Sequence, residues 1–279
     1  MCRLKSGPSH RTPVSTIGSH GWPRANGDDD GKTISKYALY CGRTQPRRSE
    51  FSGEDGNYLK LTYYSYAPFD VPTGRITVVD TGALNIYHDL VRGLRNDEET
   101  LHVATDEYDL KEVNQLCRWY GDPLLELDLN AVFQRKLQVQ LLKVLSDQQT
   151  VQLTDQFQQL LTQILGDSYA LDVPLGIPET PELAKLMKFS GLKIDGIADM
   201  GIHGILETLI KVLVELNDRH TVVLTNVSHY LQVAQFKLLS KAVADAGLPL
   251  LIIEFSEIRR QRLFADCDYH YIDSDFVLW

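Results

Sequence analysis

The chain has 279 residues, of which 43% are hydrophobic and 23% are charged, and its formal net charge is −9. These values are typical of a globular protein with one large domain, or a domain and an appendage. No apolar run approaches the roughly 18–20 residues that cross a bilayer, and residues 1–8 lack the apolar segment of a signal peptide, so we expect a soluble cytoplasmic protein. The negative charge excludes a surface that is basic throughout, but it is compatible with a local basic lining that binds nucleic acid.

The cysteines Cys2, Cys41, Cys117 and Cys267 stand far apart and form no C-x-x-C pair. No histidine lies at zinc-finger spacing from them. We therefore expect reduced thiols, and neither a disulfide framework nor a structural zinc site.

Residues 1–56 differ from the rest of the chain in composition. They are rich in Gly, Ser and Pro, contain the acidic run 28–30, and show no apolar period. This composition is typical of disorder. We expect a disordered or non-native N-terminal extension, and a weakly basic arm for nucleic acid is the alternative hypothesis.

The first folded elements are predicted from residue 58 onwards. Residues 58–64 are rich in β-formers, and residues 75–80 form a second predicted strand after a Pro-Thr-Gly turn. Apolar side chains in residues 82–95 recur at spacings of three and four, which predicts an amphipathic helix directly after that strand. Residues 101–104 are a further short strand candidate.

A long helical segment then interrupts this pattern. Residues 128–130 supply an N-cap, and apolar residues recur at helical spacing from 131 to 165 with one break near Ser146. Two helices, antiparallel or bent, fit this pattern best. A proline-rich loop follows, and residues 182–190 form a short predicted helix.

The final third alternates helices and strands again. A helix is predicted at residues 202–217. The runs 220–225 and 249–254 are continuous apolar strands of the kind buried on both faces, with a helix at 230–246 between them. A strand-helix-strand unit of this length implies a parallel crossover. The predicted closing strands are 269–272 and 276–279.

The predicted fold is therefore α/β. A nucleotide-binding-like sheet domain, residues 57–126 and 201–279, is interrupted by a helical insertion at residues 127–200. The sheet domain lacks a P-loop, because the connection after the 75–80 strand has a single glycine, Gly82, and no Gly-Lys-Ser/Thr sequence. ATP hydrolysis is accordingly not expected.

Other catalytic motifs are also missing from the sequence. The histidines show no H-E-x-x-H motif and no paired spacing for zinc. A metal-dependent nuclease site of this type requires a Glu-x-Lys motif on a strand. Here Ser256 occupies the position of the lysine that should follow Glu254. We therefore predict that the chain is not an enzyme.

Basic side chains of the helical insertion are placed where they could follow a nucleic-acid duplex. Lys136 and Lys143 lie one heptad apart and share a helix face. Contacts of this kind with phosphates supply affinity without sequence information. An ordinary solvated helix face is the alternative interpretation. The candidates for the DNA path are Arg135, Lys136, Lys143, Lys185 and Lys188.

A second basic group, Arg259, Arg260 and Arg262, follows the last buried strand. These arginines could bind phosphate or another subunit. The interpretation that we favour is a solvated ion-pair network with Glu254, Glu257 and Asp266.

Five segments occur in a recognisable order. They are an opening β-ribbon, residues 76–80, residues 127–130 before the long helical pair, residues 192–195, and residues 268–272 after the strand-helix-strand unit. In this order they resemble the short form of the CRISPR type II-A spacer-acquisition (adaptation) protein. The resemblance covers about residues 57–279.

This resemblance implies a head domain of nucleotide-binding-like topology, a helical leg domain, and a homotetrameric ring whose central hole admits duplex DNA. It implies sequence-independent binding of double-stranded DNA ends in antiviral defence, together with other adaptation proteins, an integrase and an effector nuclease. Arg135, Lys136, Lys143, Lys185 and Lys188 would then line the DNA path. The resemblance also implies a native start close to residue 59.

The same resemblance implies bound calcium near the end of the long helices. In the matching stretch, residues 167–179, the candidate ligands are Asp167, Asp172 and Glu179. Calcium takes about six to eight oxygen ligands, so three carboxylates would need carbonyls and water to complete a site. Residues 173–175 are apolar where the family pattern would place further acids.

Two other hypotheses remain open. The first is an NTP-dependent, P-loop-like enzyme with a degenerate nucleotide site, which phosphate release stimulated by DNA would favour. The second is an adaptor that binds only protein, which a lack of DNA binding at low salt would favour.

Overall fold

A computed structural model describes residues 59–64 and 66–279, so the predictions for residues 1–56 lie outside the described residues. The described part has a mixed α/β fold, which confirms the predicted class. The strands are β1 (Leu59–Thr62), β2 (Phe69–Val71), β3 (Ile76–Thr81), β4 (His102–Ala104), β5 (Leu110–Lys111), β6 (Cys117–Gly121), β7 (Thr221–Thr225), β8 (Leu250–Phe255) and β9 (Asp268–Ile272).

The strands form two sheets. A five-stranded sheet has the order β6-β7-β8-β3-β9, and all of its neighbouring strands are parallel. A four-stranded antiparallel sheet has the order β2-β1-β4-β5. The predicted parallel crossover is confirmed, because β7 and β8 are adjacent and parallel.

Seven α-helices connect and cover the strands in the described part of the chain. None of them combines the length and the apolar character that crossing a membrane requires. The helices are α1 (Leu84–Leu94), α2 (Val113–Leu116), α3 (Leu129–Val144), α4 (Asp147–Ser168), α5 (Leu183–Phe189), α6 (Ile202–Glu215) and α7 (Val233–Ala246).

The parallel sheet is buried on both faces, as its continuous apolar strands predict. On β8, Leu250 and Ile252 join one core with residues of α3, α6 and α7. Leu251 and Ile253, which point the other way, join a second core with α1 and the antiparallel sheet. This alternation follows from the two-residue period of a strand, and it makes β8 and β3 the centre of a layered domain.

Helix α3 is fixed to this domain by one apolar face. Leu129 and Phe133 are fully buried in the core that contains α6, and the Phe133 ring lies 5.8 Å from the Tyr120 ring of β6. The N-terminus of the helix is capped by Asp128, whose carboxylate accepts hydrogen bonds from the backbone N–H groups of Asn130 and Ala131. The direction and rotation of α3 are thereby set.

Amide side chains of α3 hold the segment that follows α5. Asn130 exchanges hydrogen bonds with the backbone of Ile194, at 2.8 and 3.2 Å. Gln134 and Gln138 donate to the carbonyl oxygen of Leu192, at 3.0 and 3.1 Å. These side chains therefore attach the 192–194 segment to α3.

The break between the two long helices lies where the sequence predicts it. Helix α3 ends at Val144, and Ser146 begins α4 with a capping box in which Ser146 and Gln149 exchange hydrogen bonds. None of the 22 residues of α4 is buried in the chain.

Several local predictions differ from the structure, and β5 and α2 lie in a stretch for which no element is predicted. The stretch before residue 128, for which no strand is predicted, contains β6, the edge strand of the parallel sheet. The predicted strand at 276–279 is reduced to a single antiparallel bridge between Ile272 and Leu278. A turn containing Phe276 in the left-handed region shortens that pairing.

Candidate nucleic-acid interface

The basic side chains of α3 lie on its exposed face. Arg135, Lys136 and Lys143 are exposed, and α3 contains no acidic residue. Helix α4, by contrast, contains three aspartates and no Lys or Arg. In a chain of net charge −9, α3 therefore carries three basic side chains that no acid on the same helix offsets.

Helix α5 adds two lysines beside this face. A groove of about 580 Å³ between α3 and α5 is lined by Arg135, Val139, Lys185 and Lys188, among others. Lys185 forms a 2.9 Å ion pair with Glu182, but both groups are exposed, so the pair contributes little stability. Lys185 can therefore exchange Glu182 for another anion.

The segment after α6 adds further polar groups on the other side of α3. A groove of about 480 Å³ there is lined by Arg135, Lys136 and Lys143 together with Arg219 and His220. The structure thus brings all five predicted DNA-contacting residues to two adjoining grooves. It also places Arg219 there, a residue that the sequence pattern did not indicate. We call these six residues the α3 basic surface: Arg135, Lys136, Lys143, Lys185, Lys188 and Arg219.

Few carboxylates neutralise this surface. Among the described residues, no ion pair involves Arg135, Lys136, Lys143 or Lys188. The Nζ of Lys136 lies 5.6 Å from the centre of the Phe133 ring, which favours a fixed position without removing the charge. Exposed cations of this kind are available to phosphate oxygens.

A hydrogen-bonded group of three side chains borders the second groove. His220 Nδ1 lies 2.5 Å from Asp218 Oδ1, and Arg118 Nη2 lies 3.0 Å from His220 Nε2. A guanidinium can only donate, so in this arrangement Nε2 accepts and Nδ1 donates to Asp218. Burial alone would raise the pKa of Asp218, but the hydrogen bonds from His220 outweigh burial and lower it. The nearest acid to the groove is therefore already engaged with His220.

A second polar cluster lies at the carboxyl ends of β3 and β8, where open α/β sheets commonly bind ligands. Asp80 and Glu254 stand opposite each other on these adjacent strands, and both side chains are completely buried. The Arg260 guanidinium lies between them, with nitrogens 3.2 and 3.3 Å from the Asp80 oxygens and 3.2 Å from a Glu254 oxygen. We call Asp80, Glu254, Arg260, Ser228 and Tyr269 the carboxyl-end cluster.

The remaining partners saturate both carboxylates. Tyr269 donates its hydroxyl to Asp80 at 2.9 Å. Ser228 donates both its backbone N–H, at 2.8 Å, and its hydroxyl, at 2.6 Å, to Glu254. Each of the four carboxylate oxygens therefore accepts at least one hydrogen bond from within the protein, and the cluster is internally satisfied.

Burial controls the ionisation of this cluster. It raises the pKa values of Asp80 and Glu254, although hydrogen bonds from Arg260, Tyr269 and Ser228 act in the opposite direction. Burial alone would lower the pKa of Arg260, but hydrogen bonding and attraction to Asp80 and Glu254 outweigh it and raise that pKa. Two buried carboxyls thus share one guanidinium.

This arrangement corrects the interpretation of the second basic group. Arg260 does pair with Glu254, but its other carboxylate partner is Asp80, and the network is buried rather than solvated. Arg259 and Arg262 are exposed and take no part in it. The parallel register of β3 and β8, which the sequence does not give, brings Asp80 to this place.

The connection after β3 consists of Gly82 and Ala83. The hydroxyl oxygen of Thr81 accepts a hydrogen bond from the Ala83 N–H at 3.0 Å. A Cβ at Gly82 would lie 3.1 Å from the Tyr271 hydroxyl and 3.3 Å from the Ser256 carbonyl oxygen. The loop is therefore short and closely packed against the ends of the neighbouring strands.

The predicted calcium ligands do not form a site in one copy of the chain. Asp167, Asp172 and Glu179 are all exposed. Across residues 59–64 and 66–279, no three His, Cys, Asp or Glu side chains gather closely enough to hold a metal ion. The carboxylates present thus do not fit calcium by themselves.

No protein-family model and no curated protein sequence matches this chain. Among solved structures, it is similar to Stu0660 of Streptococcus thermophilus, with 8% identity and a TM-score of 0.49 over 77% of this chain and 74% of that one. It is also similar to the ADP conformation of MJ1267, an ATP-binding cassette of an ABC transporter, with 12% identity and a TM-score of 0.44 over 79% and 89% of the two chains. A putative ABC transporter ATP-binding protein from Pyrococcus furiosus gives 10% identity and a TM-score of 0.35 over 77% and 96%. With TM-scores below 0.5, these similarities assign neither a family nor an activity to the chain.

Proposed function

We propose that this chain is a non-catalytic protein that binds double-stranded DNA without sequence preference through the α3 basic surface. The observation that carries the proposal is the convergence of basic side chains from α3, α5 and the 216–220 segment. Within the described part of the chain, four of them form no ion pair with a carboxylate: Arg135, Lys136, Lys143 and Lys188. Cations spread along one helix and its flanks match the repeating charge of a phosphate backbone. They do not by themselves distinguish one base sequence from another.

The proposal includes the assembly and the cellular role that the family resemblance implies. We propose a homotetrameric ring that receives DNA ends and acts in the cytoplasm during CRISPR spacer acquisition, with an integrase and an effector nuclease as partners. The exposed apolar side chains of α4, Val151, Leu160 and Ile164, support self-association, because a helix without any buried residue gains stability from a partner. Calcium bound through Asp167, Asp172 and Glu179 would need ligands from outside this group.

A non-catalytic role also agrees with the carboxyl ends of the parallel sheet. A P-loop places a lysine, a Ser or Thr hydroxyl and several free backbone N–H groups around phosphates. Here the β3–α1 connection is two residues long, and the adjacent carboxylates already bind Arg260. We therefore do not assign the P-loop type of NTP hydrolysis to this sheet.

The function is tested by binding to linear and covalently closed circular duplexes of equal length, with and without calcium, alongside a light-scattering mass. We expect a tetramer that binds the linear duplex and spares the circle, since a ring can be threaded only from an end. Affinity should fall steeply with salt, because four copies combine modest phosphate contacts.

Equal binding to both duplexes would refute entry from DNA ends, and lack of binding to either at low salt would refute the DNA-binding proposal as a whole. Phosphate release from ATP that DNA stimulates would contradict the non-catalytic assignment. A calcium requirement for binding that is lost when Asp167, Asp172 and Glu179 are replaced with Asn, Asn and Gln would support calcium at these carboxylates.

A further inference from the structure

Helix α3 presents an exposed stripe that is both apolar and basic. Val132, Arg135, Lys136, Val139 and Lys143 follow the spacing of one helix face. Val132 is 40% exposed and Val139 is 47% exposed, whereas Phe133, on the adjoining face that packs against the core, is fully buried. The stripe is therefore the outer ridge of the helix.

The two grooves lie on opposite flanks of this ridge. One is bordered by Lys185 and Lys188 of α5, and the other by Arg219 and His220. Arg135 and Val139 line both grooves, so they lie on the boundary between them. The resulting shape is a helical ridge with cations along it and on both sides.

These dimensions match the major groove of B-form DNA. An α-helix with its side chains is about 10–12 Å across, and the major groove is about 12 Å wide and 8.5 Å deep with a phosphate backbone on each side. A flat basic patch would touch one backbone, whereas a ridge with two basic flanks can reach both. Val132 and Val139 would then lie against base edges, where aliphatic side chains form none of the hydrogen bonds that distinguish one base pair from another.

Two of the three glutamine side chains of α3 are engaged elsewhere, and the third, Gln140, lines the second groove. Gln134 and Gln138 donate to the carbonyl of Leu192 and so attach the 192–194 segment. The stripe itself offers aliphatic groups and long cations.

We propose that α3 enters the major groove of duplex DNA and that its two basic flanks bind the phosphates of the two strands. This inference rests on the proposed function, because it specifies how the same surface would hold the duplex. It requires B-form geometry, since the major groove of A-form RNA is too narrow and deep for side chains to enter.

The test compares binding of the full chain to four duplexes of one sequence. They are unmodified DNA, DNA whose cytosines carry a glucosylated hydroxymethyl group at C5, DNA saturated with the minor-groove ligand netropsin, and double-stranded RNA. The glucose projects into the major groove and leaves the phosphate charge unchanged. We expect binding to the glucosylated DNA and to the RNA to be at least about tenfold weaker, because the major groove is filled by glucose in the first and is too narrow to enter in the second. Netropsin should change the affinity little, because it occupies the minor groove.

Equal affinity for unmodified DNA, glucosylated DNA and RNA would overturn the inference and leave a surface that binds phosphates alone. Weaker binding to netropsin-saturated DNA than to glucosylated DNA would overturn the inference and indicate that the protein binds the minor groove. Failure to bind unmodified DNA would instead remove the proposed function, and this inference with it.

Discussion

Replacing Arg260 with Met is expected to lower the free energy of unfolding by about 3–5 kcal/mol at neutral pH, the usual cost of removing one partner from a buried ion pair. The Asp80 and Glu254 side chains are completely buried, and Arg260 is only 19% exposed. Met has a similar length but supplies neither charge nor hydrogen bonds. The two carboxylates would then face each other on adjacent strands without a counter-ion.

The loss should depend on pH in a defined direction. Burial already raises the pKa values of Asp80 and Glu254, and removal of the guanidinium raises them further. A carboxyl whose pKa is higher in the folded than in the unfolded chain costs stability as the pH rises above the unfolded value, roughly 4. The deficit of Arg260→Met should therefore be largest at pH 7 and shrink as the pH falls towards 5.

Urea denaturation at both pH values measures this effect, with Arg259→Met as the matched control. Arg259 is the neighbouring residue and is exposed, so its replacement should change stability by less than about 0.5 kcal/mol. Equal losses in both variants, or a deficit at pH 5 as large as at pH 7, would contradict the role assigned to the carboxyl-end cluster.

Reversing two charges of the α3 basic surface, Lys136→Glu with Lys143→Glu, should weaken binding to duplex DNA at least about tenfold at moderate salt. The slope of log affinity against log salt is negative, and it should become shallower by about one for each lysine lost per bound copy. Both side chains are exposed and lie outside the core, so the fold should persist. Fluorescence anisotropy at several salt concentrations, with circular dichroism of both proteins, provides the measurement.

The matched control changes the same charge elsewhere. Lys237 and Lys241 are also exposed, one turn apart, on α7. Lys237→Glu with Lys241→Glu gives the same net charge as the α3 variant, so it accounts for general repulsion between protein and DNA. If the two double variants lose affinity equally, binding depends on net charge and the α3 basic surface has no special role.

Much of the fold could be predicted from the sequence because the parallel strands are continuous apolar runs. The strands at 220–225 and 249–254 and the helix between them were predicted from composition and spacing. The helix break near Ser146 was predicted from the interruption of the apolar spacing, and the structure places the N-cap of α4 at Ser146. Strand β6 was not, because it is a partly exposed edge strand in which Arg118 and Trp119 disturb the apolar pattern.

The DNA-contacting candidates on α3 could be selected because they repeat along one helix. Arg219 was not selected, because it lies in a connecting segment whose position depends on the packing of α6. The pairing of Arg260 with Glu254 was predicted, but the part played by Asp80 was not, since Arg260 and Asp80 are 180 residues apart. A signal did exist: β3 and β8 each carry a single acid near the end of an apolar run, and a buried acid needs a partner. The boundaries between a head and a leg domain stay a prediction.

Photo-crosslinking from single positions tests most directly whether α3 faces DNA. A benzophenone-bearing amino acid would replace Val139 on α3 or, as the control, Leu238 on α7; the two side chains are 47% and 54% exposed. With a labelled linear duplex, we expect a protein–DNA adduct from position 139 and little from position 238. Equal adducts from both positions, or an adduct from position 238 alone, would contradict it.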